Sequence, residues 1–214
     1  MRLVFASNNA HKLAEVRAMM PADIEVLSLS DIGFEQDIEE TGKTLEENSV
    51  IKASTVAAFI NDRLMNGDAA LNGVDGIFAD DTGLEIDALD GQPGVYTARW
   101  FLRDEGVKGL KDEREIFAAN RAKALRELAG KTDRGAQFRT VITLITVNGE
   151  RLVVSGIVRG RIATEEHGEG GFGYDPIFIP EGYDKTFGEL PAEIKNGISH
   201  RARALDALVK ALNR

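Results

Sequence analysis

Residues 136–163 constrain the fold most, because apolar residues recur at alternate positions around an Asn-Gly pair at 148–149. A period of two places Phe138, Ile142 and Leu144 on one face of a strand. An Asn-Gly pair between two such runs is the strongest local signal for a hairpin with a two-residue loop. We therefore predict a long antiparallel pair of strands at the centre of a sheet.

The rest of the chain mixes shorter apolar runs with amphipathic helices. Residues 2–6 and 24–29 have the pattern of buried strands. The predicted helices are residues 11–20, the segment after a capping box of Thr44 and Glu47, residues 111–129 and residues 200–214. Because strands and helices intermix without a strict βαβ order, we predict an α/β fold with a mixed sheet, formed by residues 1–214 as one domain or two lobes sharing a core.

Composition narrows the possible partners and locations. The chain carries 35 acidic and 26 basic residues, a formal net charge of -9, and such a surface repels nucleic acid. It contains no cysteine, which agrees with a reducing compartment, and its first residues lack the apolar stretch of a signal peptide. No run approaches the roughly 20 apolar residues of a membrane span. We expect a cytoplasmic protein that binds neither nucleic acid nor membranes, and locally clustered basic residues can still bind a small anion.

Two adjacent aspartates end an apolar run in residues 76–83, GIFADDTG. Neighbouring carboxylates repel one another and resist burial, so a cation or a reaction usually accounts for them. A second acidic pair, Glu39-Glu40, adds oxygen ligands of the kind that Mg²⁺ prefers. Turn chemistry and surface charge are the alternative, but the abutting apolar run favours a functional site at Asp80 and Asp81.

Residues 7–12, SNNAHK, follow the first strand and open a helix. Unpaired backbone N–H groups and the helix dipole favour an anion at such a position. Ser7 and Asn9 add hydrogen-bonding side chains, and Lys12 adds a positive charge. The segment predicts a phosphate-binding loop, and the alternative is a helix N-cap followed by a solvated lysine.

Two segments near the C-terminus concentrate donors and glycines. Residues 195–205, KNGISHRARAL, place a histidine and an arginine in the first turn of the last helix. The helix dipole disfavours cations there, so an acceptor-rich ligand or a carboxylate would offset the cost. In residues 170–176, GGFGYDP, glycines permit close backbone approach, and Phe172 or Tyr174 can present a ring to a base. The alternatives are an ordinary surface helix and a glycine-rich turn with two core aromatics.

Two phosphate-binding motifs match in their letters only. The segment TGKT at 41–44 lacks the P-loop glycine at position 37, and no apolar strand precedes it. The segment GEGGFG at 168–173 matches a dinucleotide-binding fingerprint, but the Tyr-Asp-Pro that follows it at 174–176 prevents the helix that this motif must open. We reject both motifs.

Seven motifs, taken together and in order, resemble the inosine triphosphate pyrophosphatase family, also known as the XTP/dITP diphosphatase family. They are SNNAHK, EETG, ENSVIKA, ADDTGLEIDAL, PGVYTARW, GGFGYDPIF and ISHRARAL, and they span nearly the whole chain. The chain departs from the family pattern at SNN, which replaces the commoner Thr-Gly-Asn, and at residues 61–75, which are longer than the usual link.

The resemblance implies two α/β lobes around a long central mixed sheet with flanking helices, and an active site in the cleft between the lobes. It also implies hydrolysis of non-canonical purine nucleoside triphosphates, namely ITP, dITP, XTP and dXTP, to the monophosphate and pyrophosphate. This activity removes damaged purines from the nucleotide pool. The family resemblance further implies Mg²⁺ as cofactor and a homodimer.

The resemblance assigns roles to the matched residues. Asp81 matches the catalytic base and, with Glu39, the Mg²⁺ ligands, while Asp80 and Glu40 are neighbours that can tune or share these tasks. The implied substrate-binding residues are Ser7, Asn8, Asn9, Ala10, His11, Lys12, Thr82, Phe172, Gly173, Tyr174, Asp175, Lys195, His200 and Arg201. Lys52, on the same predicted helix face as Asn48, is a further phosphate-binding candidate. Lysine and arginine offer only donors, which suit the C6 oxygen of hypoxanthine and xanthine and oppose the C6 amino group of adenine.

Two other functions remain open. The nearest is a Maf-like pyrophosphatase that acts on modified pyrimidine or methylated guanine nucleotides, which the ISHR and GGFGYDP segments disfavour. The other is a nucleotide sensor that binds without hydrolysis, which the presence of both aspartates and of the basic residues disfavours.

Overall fold

The structure is a computed structural model that describes residues 1–105 and 112–213. Within these ranges the strands are β1 (Arg2–Phe5), β2 (Glu25–Leu27), β3 (Gly76–Ile86), β4 (Gln92–Gly94), β5 (Gly135–Thr146), β6 (Arg151–Ile162) and β7 (Phe178–Pro180). The helices are α1 (Ala10–Met19), α2 (Leu45–Met65), α3 (Trp100–Glu105), α4 (Glu113–Glu127), α5 (Ala192–Ile198) and α6 (His200–Leu212). None of these helices combines the length and the apolar character needed to cross a membrane.

The strands form a mixed sheet with the order β2-β1-β3-β5-β6-β7, and β4 pairs with β3 beside this path. The strand β1 runs parallel to β2 and to β3, with Leu3 opposite Val26 on one side and Gly76 on the other. The pairs β3–β4 and β6–β7 are antiparallel. The α/β fold with a mixed sheet, predicted from the sequence, is therefore confirmed.

The strands β5 and β6 form the predicted long hairpin, but its turn differs from the predicted two-residue loop. Gly149 N donates to the Thr146 carbonyl at 2.9 Å, and Thr146 N donates to the Glu150 carbonyl at 2.9 Å. Gly149 has a φ of +83°, and within the described ranges Asp90 is the only non-glycine residue with positive φ. A type I′ turn requires positive φ at Asn148 as well, so the hairpin closes through a longer turn that ends in a left-handed glycine.

The start of α2 matches the sequence prediction. Thr44 Oγ1 accepts from Glu47 N at 3.1 Å, and Glu47 Oε2 accepts from Thr44 N at 3.2 Å, which is a capping box. Lys111 and Arg214, which the predicted helices included, lie outside the described residues.

The chain divides into two compact units. The first unit comprises Met1–Asp81, Thr140–Gly156 and Arg201–Arg214, and the second comprises Thr82–Arg139 and Ile157–His200. The division falls within β3, β5 and β6, so each of these strands contributes residues to both units. A single domain with an active site between two lobes stays a prediction.

In the first unit, apolar side chains pack on both faces of the sheet. One core contains Val56 of α2 with Ile77 and Ala79 of β3. Another core contains Phe78 of β3 with residues of α1 and α6, among them Val16. Because successive strand residues point to opposite faces, β3 separates the two cores, and the same alternation governs the two aspartates that follow.

In the second unit, an aromatic core surrounds the ends of β5 and β7. The ring of Phe178 lies 4.7 Å from that of Phe138 and 5.4 Å from that of Phe187, measured between centroids. Tyr174 belongs to the same core. The loop before β7 carries the GGFGYDP motif, and this loop packs on the aromatic core.

Candidate active site

Asp80 and Asp81 are adjacent in β3 and both buried, yet their carboxylates bind different cations. Asp80 accepts from Lys12 Nζ at 3.0 Å and from Arg201 Nη2 at 3.0 Å. Asp81 accepts from Lys52 Nζ at 3.3 Å. Because side chains alternate along a strand, the first carboxylate faces α1 and α6 while the second faces α2. The two like charges therefore do not compete for one site.

The Asp80 carboxylate anchors a buried ion network. Arg201, which is 1% exposed, donates to Asp80 Oδ2 from Nε at 3.1 Å and from Nη2 at 3.0 Å, and its Nη1 donates to Glu15. Burial by itself would raise the pKa of Asp80, but the nearby Lys12 and Arg201 outweigh burial and hold the pKa well below its usual range. Asp80 thus carries a negative charge that binds two cations.

The loop of residues 7–12 connects β1 to α1. Asn9 caps α1 because its side chain accepts from Lys12 N at 3.0 Å, and Ser7 Oγ accepts from Asn9 N at 3.3 Å. The N-cap part of the alternative interpretation therefore holds, but the lysine is not solvated, since its ammonium is bound to Asp80. The remaining residues of the loop are exposed: Asn8, Ala10 and His11.

The Asp81 carboxylate is oriented by α2. Asn48 Nδ2 donates to Asp81 Oδ2 at 3.2 Å, and Lys52, one turn later, binds the other oxygen. Asn48 is itself fixed, because its Oδ1 accepts from Gly42 N at 2.8 Å. A Cβ at Gly42 would lie 2.5 Å from that same oxygen, so this close approach requires glycine. Asn48 and Lys52 share a helix face, as their spacing predicts.

Two carboxylates converge on the Lys52 ammonium. Its Nζ lies 2.7 Å from Glu40 Oε1 and 3.3 Å from Asp81 Oδ1. Burial opposes its charge, yet Asp81 and Glu40 outweigh burial and raise the pKa of Lys52. Glu39, the predicted partner of Asp81 in metal binding, has an exposed side chain, so the structure brings Glu40 rather than Glu39 to the position where the carboxylates meet.

The oxygen atoms around Lys52 suit a hard divalent cation. Carboxylates of Glu40 and Asp81 already converge there on a positive charge, and Mg²⁺ is usually held by one or two carboxylates together with substrate phosphates. The described part of the chain contains no group of three or more His, Cys, Asp or Glu side chains arranged to hold a metal. These residues therefore fit Mg²⁺ only as a site that the substrate completes.

In the second unit, Lys195 and Asp175 form a buried ion pair beside an aromatic ring. Lys195 Nζ lies 2.6 Å from Asp175 Oδ2 and 5.0 Å from the Phe172 ring centroid. Asp175 Oδ2 also accepts from Phe172 N at 2.8 Å. The pair thus ties α5 to the loop of residues 172–175 and places a cation donor next to a ring.

The two aromatic residues of this loop have different surroundings. Phe172 is half-buried, whereas Tyr174 is 3% exposed and its hydroxyl donates to the Thr97 carbonyl at 3.1 Å. Burial raises the pKa of Tyr174 far above its usual range. The sequence left open whether Phe172 or Tyr174 presents a ring to a base. The Tyr174 ring belongs to the core, and the Phe172 ring is the one that is partly exposed.

The predicted base-reading residues near the C-terminus have different surroundings in the structure. The sequence interpretation placed Lys195, His200 and Arg201 together as base-reading groups. His200 is buried with its ring stacked on Phe138 at 4.7 Å, in the second unit. The Arg201 guanidinium binds Asp80 and Glu15 in the first unit. Thr82, half-buried, begins the second unit directly after Asp81.

Sequence reasoning missed several residues that position the site. They are Glu15 beside Arg201, Asn48 beside Asp81, Phe138 beneath His200, and Arg121, whose Nη1 donates to the Gly173 carbonyl at 2.9 Å. Glutamate and arginine in amphipathic helices have the pattern of solvated residues, so only the tertiary fold identifies them. Asn48 had a usable signal, namely its four-residue spacing from Lys52.

The sequence profile of the Ham1 family matches residues 3–211, so the chain belongs to the Ham1 family. It is similar to a protein of Flavobacterium johnsoniae named dITP/XTP pyrophosphatase, at 45% identity over 99% of this chain and 98% of that one. A protein of Flavobacterium psychrophilum with the same name is 44% identical over 98% of this chain and 97% of its own. The solved structure of the Staphylococcus aureus Ham1 protein superposes with a TM-score of 0.79, at 38% identity, covering 100% of this chain and 98% of that one. The family identified from the seven motifs is confirmed.

Proposed function

We propose that this protein hydrolyses non-canonical purine nucleoside triphosphates, namely ITP, dITP, XTP and dXTP, to the monophosphate and pyrophosphate. The predicted class, a hydrolase of nucleoside triphosphates, is confirmed by the Ham1 family and by full-length relatives named dITP/XTP pyrophosphatase. The observation that carries the proposal is the separation of Asp80 from Asp81. Asp80 positions the cations that bind phosphate, and Asp81, which contacts Lys52 beside Glu40, takes part in the reaction.

The triphosphate binds the cations around Asp80. Burial lowers the pKa of Lys12, and the nearby Lys52 and Arg201 add to this effect against the opposing charge of Asp80. A cluster of three cations in a buried setting gains stability from a polyanion. The side chains of Ser7 and Asn9, at the start of α1, lie on the same loop as Lys12, where the helix dipole also favours phosphate.

Glu40 and Asp81 are the residues that would hold Mg²⁺. When bound, the ion supplies charge neutralisation to the reacting phosphate. Nucleotide pyrophosphatases of this family generally use a divalent metal, and the hard oxygen donors here favour Mg²⁺ over softer metals. The metal ligand beside Asp81 is assigned to Glu40 and not to Glu39, because the carboxylates of Glu40 and Asp81 both contact Lys52.

Asp81 accepts the proton of the attacking water. Burial raises the pKa of Asp81, although Lys52 and Lys12 oppose the rise, and Glu40 and Asp80 contribute smaller increases. A raised pKa improves a carboxylate as a general base near neutral pH, and a bound Mg²⁺ would pull the pKa of Asp81 the other way. Asn48 fixes one oxygen of Asp81, so the carboxylate holds one orientation during proton transfer. Attack at the α-phosphorus then releases pyrophosphate.

Base selection is assigned to the loop of residues 172–175 with Lys195. The ammonium of Lys195 is a donor that suits the C6 oxygen of hypoxanthine and xanthine and opposes the C6 amino group of adenine. Its ion pair with Asp175, at 2.6 Å, fixes the direction of that donor. Phe172 offers a ring face on which a purine can stack.

The proposal includes a cytoplasmic homodimer that does not bind nucleic acid. The absence of cysteine agrees with a reducing compartment, and the net charge of -9 disfavours nucleic acid. The homodimer is supported by the family resemblance of the sequence motifs.

Pyrophosphate release from a panel of triphosphates, with and without Mg²⁺, tests the function. We expect release from ITP, dITP and XTP with Mg²⁺, and little from ATP. A preference for modified pyrimidine or methylated guanine triphosphates would favour the Maf-like alternative. Binding of ITP without hydrolysis would favour a nucleotide sensor.

A further inference from the structure

The helix α4 supports the loop of residues 172–175 at two consecutive positions. The ring of Phe117 lies 6.3 Å from that of Phe172, measured between centroids. Arg121, one turn later, donates from Nη1 to the Gly173 carbonyl at 2.9 Å. Residues four apart share a helix face, so a single face of α4 fixes both the ring and the next peptide of the loop.

A carboxylate lies beside the guanidinium of Arg121. Its side chain is 15% exposed, and its Nε lies 3.0 Å from Glu166 Oε1. A guanidinium is planar and presents its donors in a fixed fork. Glu166 supplies a counter-charge to the guanidinium, and the hydrogen bond from Nη1 to the Gly173 carbonyl gives that donor its direction.

Gly173 is the residue of the loop whose backbone most needs such support. Its φ is +63°, in the left-handed region that favours glycine. A Cβ built at Gly173 meets nothing within 4 Å, so the loop borders open space at this position. Glycine has the widest conformational freedom of any residue, so the direction of this carbonyl depends on the hydrogen bond from Arg121.

We propose that Arg121 is a specificity-determining positioning residue that disfavours guanine. By holding the Gly173 carbonyl in one direction, it keeps this acceptor from turning toward an exocyclic amino group of a purine. Hypoxanthine and xanthine carry no exocyclic amino group and need no such acceptor, whereas guanine carries one at C2. The inference rests on the proposed function, because it assigns base selection to this loop.

The kcat/KM values for ITP, XTP and GTP, measured for the wild type and for Arg121→Met, test this role. We expect Arg121→Met to lower the ITP:GTP preference roughly tenfold, the effect of about one hydrogen bond, and to leave the XTP:ITP ratio unchanged. The matched control is Arg126→Met on another face of the same helix, where the side chain is 55% exposed, and it should keep the wild-type ratio. Arg121→Lys restores a donor and should return part of the preference.

An ITP:GTP preference equal to that of the wild type, or an equal fall in all three substrates, would overturn the role of Arg121. If Arg121→Met does not fold, Glu166→Gln gives the test, because Glu166 is 41% exposed and its exchange changes no core residue. It should shift the preference in the same direction by a smaller factor, and no shift would overturn the inference. The proposed function is tested by the wild type alone. It would be refuted if the wild-type protein were inactive on every purine triphosphate.

Discussion

The carboxylates of Asp80 and Asp81 face opposite sides of β3, although the two residues are adjacent in the chain. Asp80 is bound to Lys12 and Arg201, and Asp81 is bound to Lys52. None of these three cations bridges the two carboxylates through the hydrogen bonds described. The two aspartates should therefore respond differently to substitution by asparagine. The change at Asp80 should lower the stability of the fold, and the change at Asp81 should lower the rate of hydrolysis.

The Asp81→Asn variant should lose turnover of ITP by roughly 10²–10⁴-fold, the usual contribution of a general base. Asparagine has nearly the same shape, and Lys52 keeps its 2.7 Å contact with Glu40, so the fold should survive. Steady-state rates and thermal unfolding measure the two effects separately. Asp23→Asn, at an exposed position, is the matched control. Wild-type turnover in Asp81→Asn would remove Asp81 from the proton-transfer role.

The Asp80→Asn variant should instead lose stability. Removing one charge of a buried ion pair typically costs about 3–5 kcal/mol of unfolding free energy, and Asp80 compensates two buried cations. Asp206→Asn is the control, because its pair with Lys210 is largely exposed and surface pairs contribute less than about 1 kcal/mol. Denaturant unfolding measures both variants, and equal losses would contradict the structural role of Asp80.

Lys12→Met and Lys195→Met should separate phosphate binding from base selection. The first variant removes a cation from the Asp80 cluster, so the KM of ITP and of ATP should rise by a similar factor. The second removes the donor beside Phe172, so the kcat/KM ratio of ITP to ATP should fall. Steady-state kinetics with both substrates check the pair. A fall in the ratio for Lys12→Met, or its constancy for Lys195→Met, would contradict the assigned roles.

The buried phenol of Tyr174 should make stability depend on alkaline pH. Burial raises the pKa of Tyr174 above the unfolded value of about 10, so its contribution is complete below pH 10 and is lost as pH rises further. At neutral pH, Tyr174→Phe should cost about 1 kcal/mol through the lost hydrogen bond to Thr97. The difference in unfolding free energy between wild type and variant should shrink above about pH 10. Denaturant unfolding of both proteins across this pH range measures the difference in unfolding free energy. A difference that stays constant with pH would contradict burial of the phenol.

Local patterns predicted the elements but not the partners of the charged residues. The period of two in β3 was sufficient to separate Asp80 from Asp81, yet the sequence interpretation treated them as neighbours that tune one another. The cations that bind Asp80 come from Lys12 and Arg201, which are far apart in the chain. Only the packing of α1 and α6 on one face of the sheet brings them together.

Turn chemistry was also only partly predictable. The Asn148-Gly149 pair correctly indicated the hairpin of β5 and β6, but the turn uses the left-handed conformation at the glycine alone. In the loop before β7, sequence spacing could not tell which aromatic residue is exposed. The aromatic core around Phe178 decides this by burying Tyr174 and leaving Phe172 half-buried.

The fate of the oxygen atom from water tests the central claim most directly. Hydrolysis of ITP in water enriched in heavy oxygen, with Mg²⁺ present, should place the label in the inosine monophosphate and leave pyrophosphate unlabelled, because attack occurs at the α-phosphorus. The Asp81→Asn variant should incorporate the label roughly 10²–10⁴-fold more slowly. Labelled pyrophosphate, or release of inosine diphosphate and orthophosphate, would contradict the account.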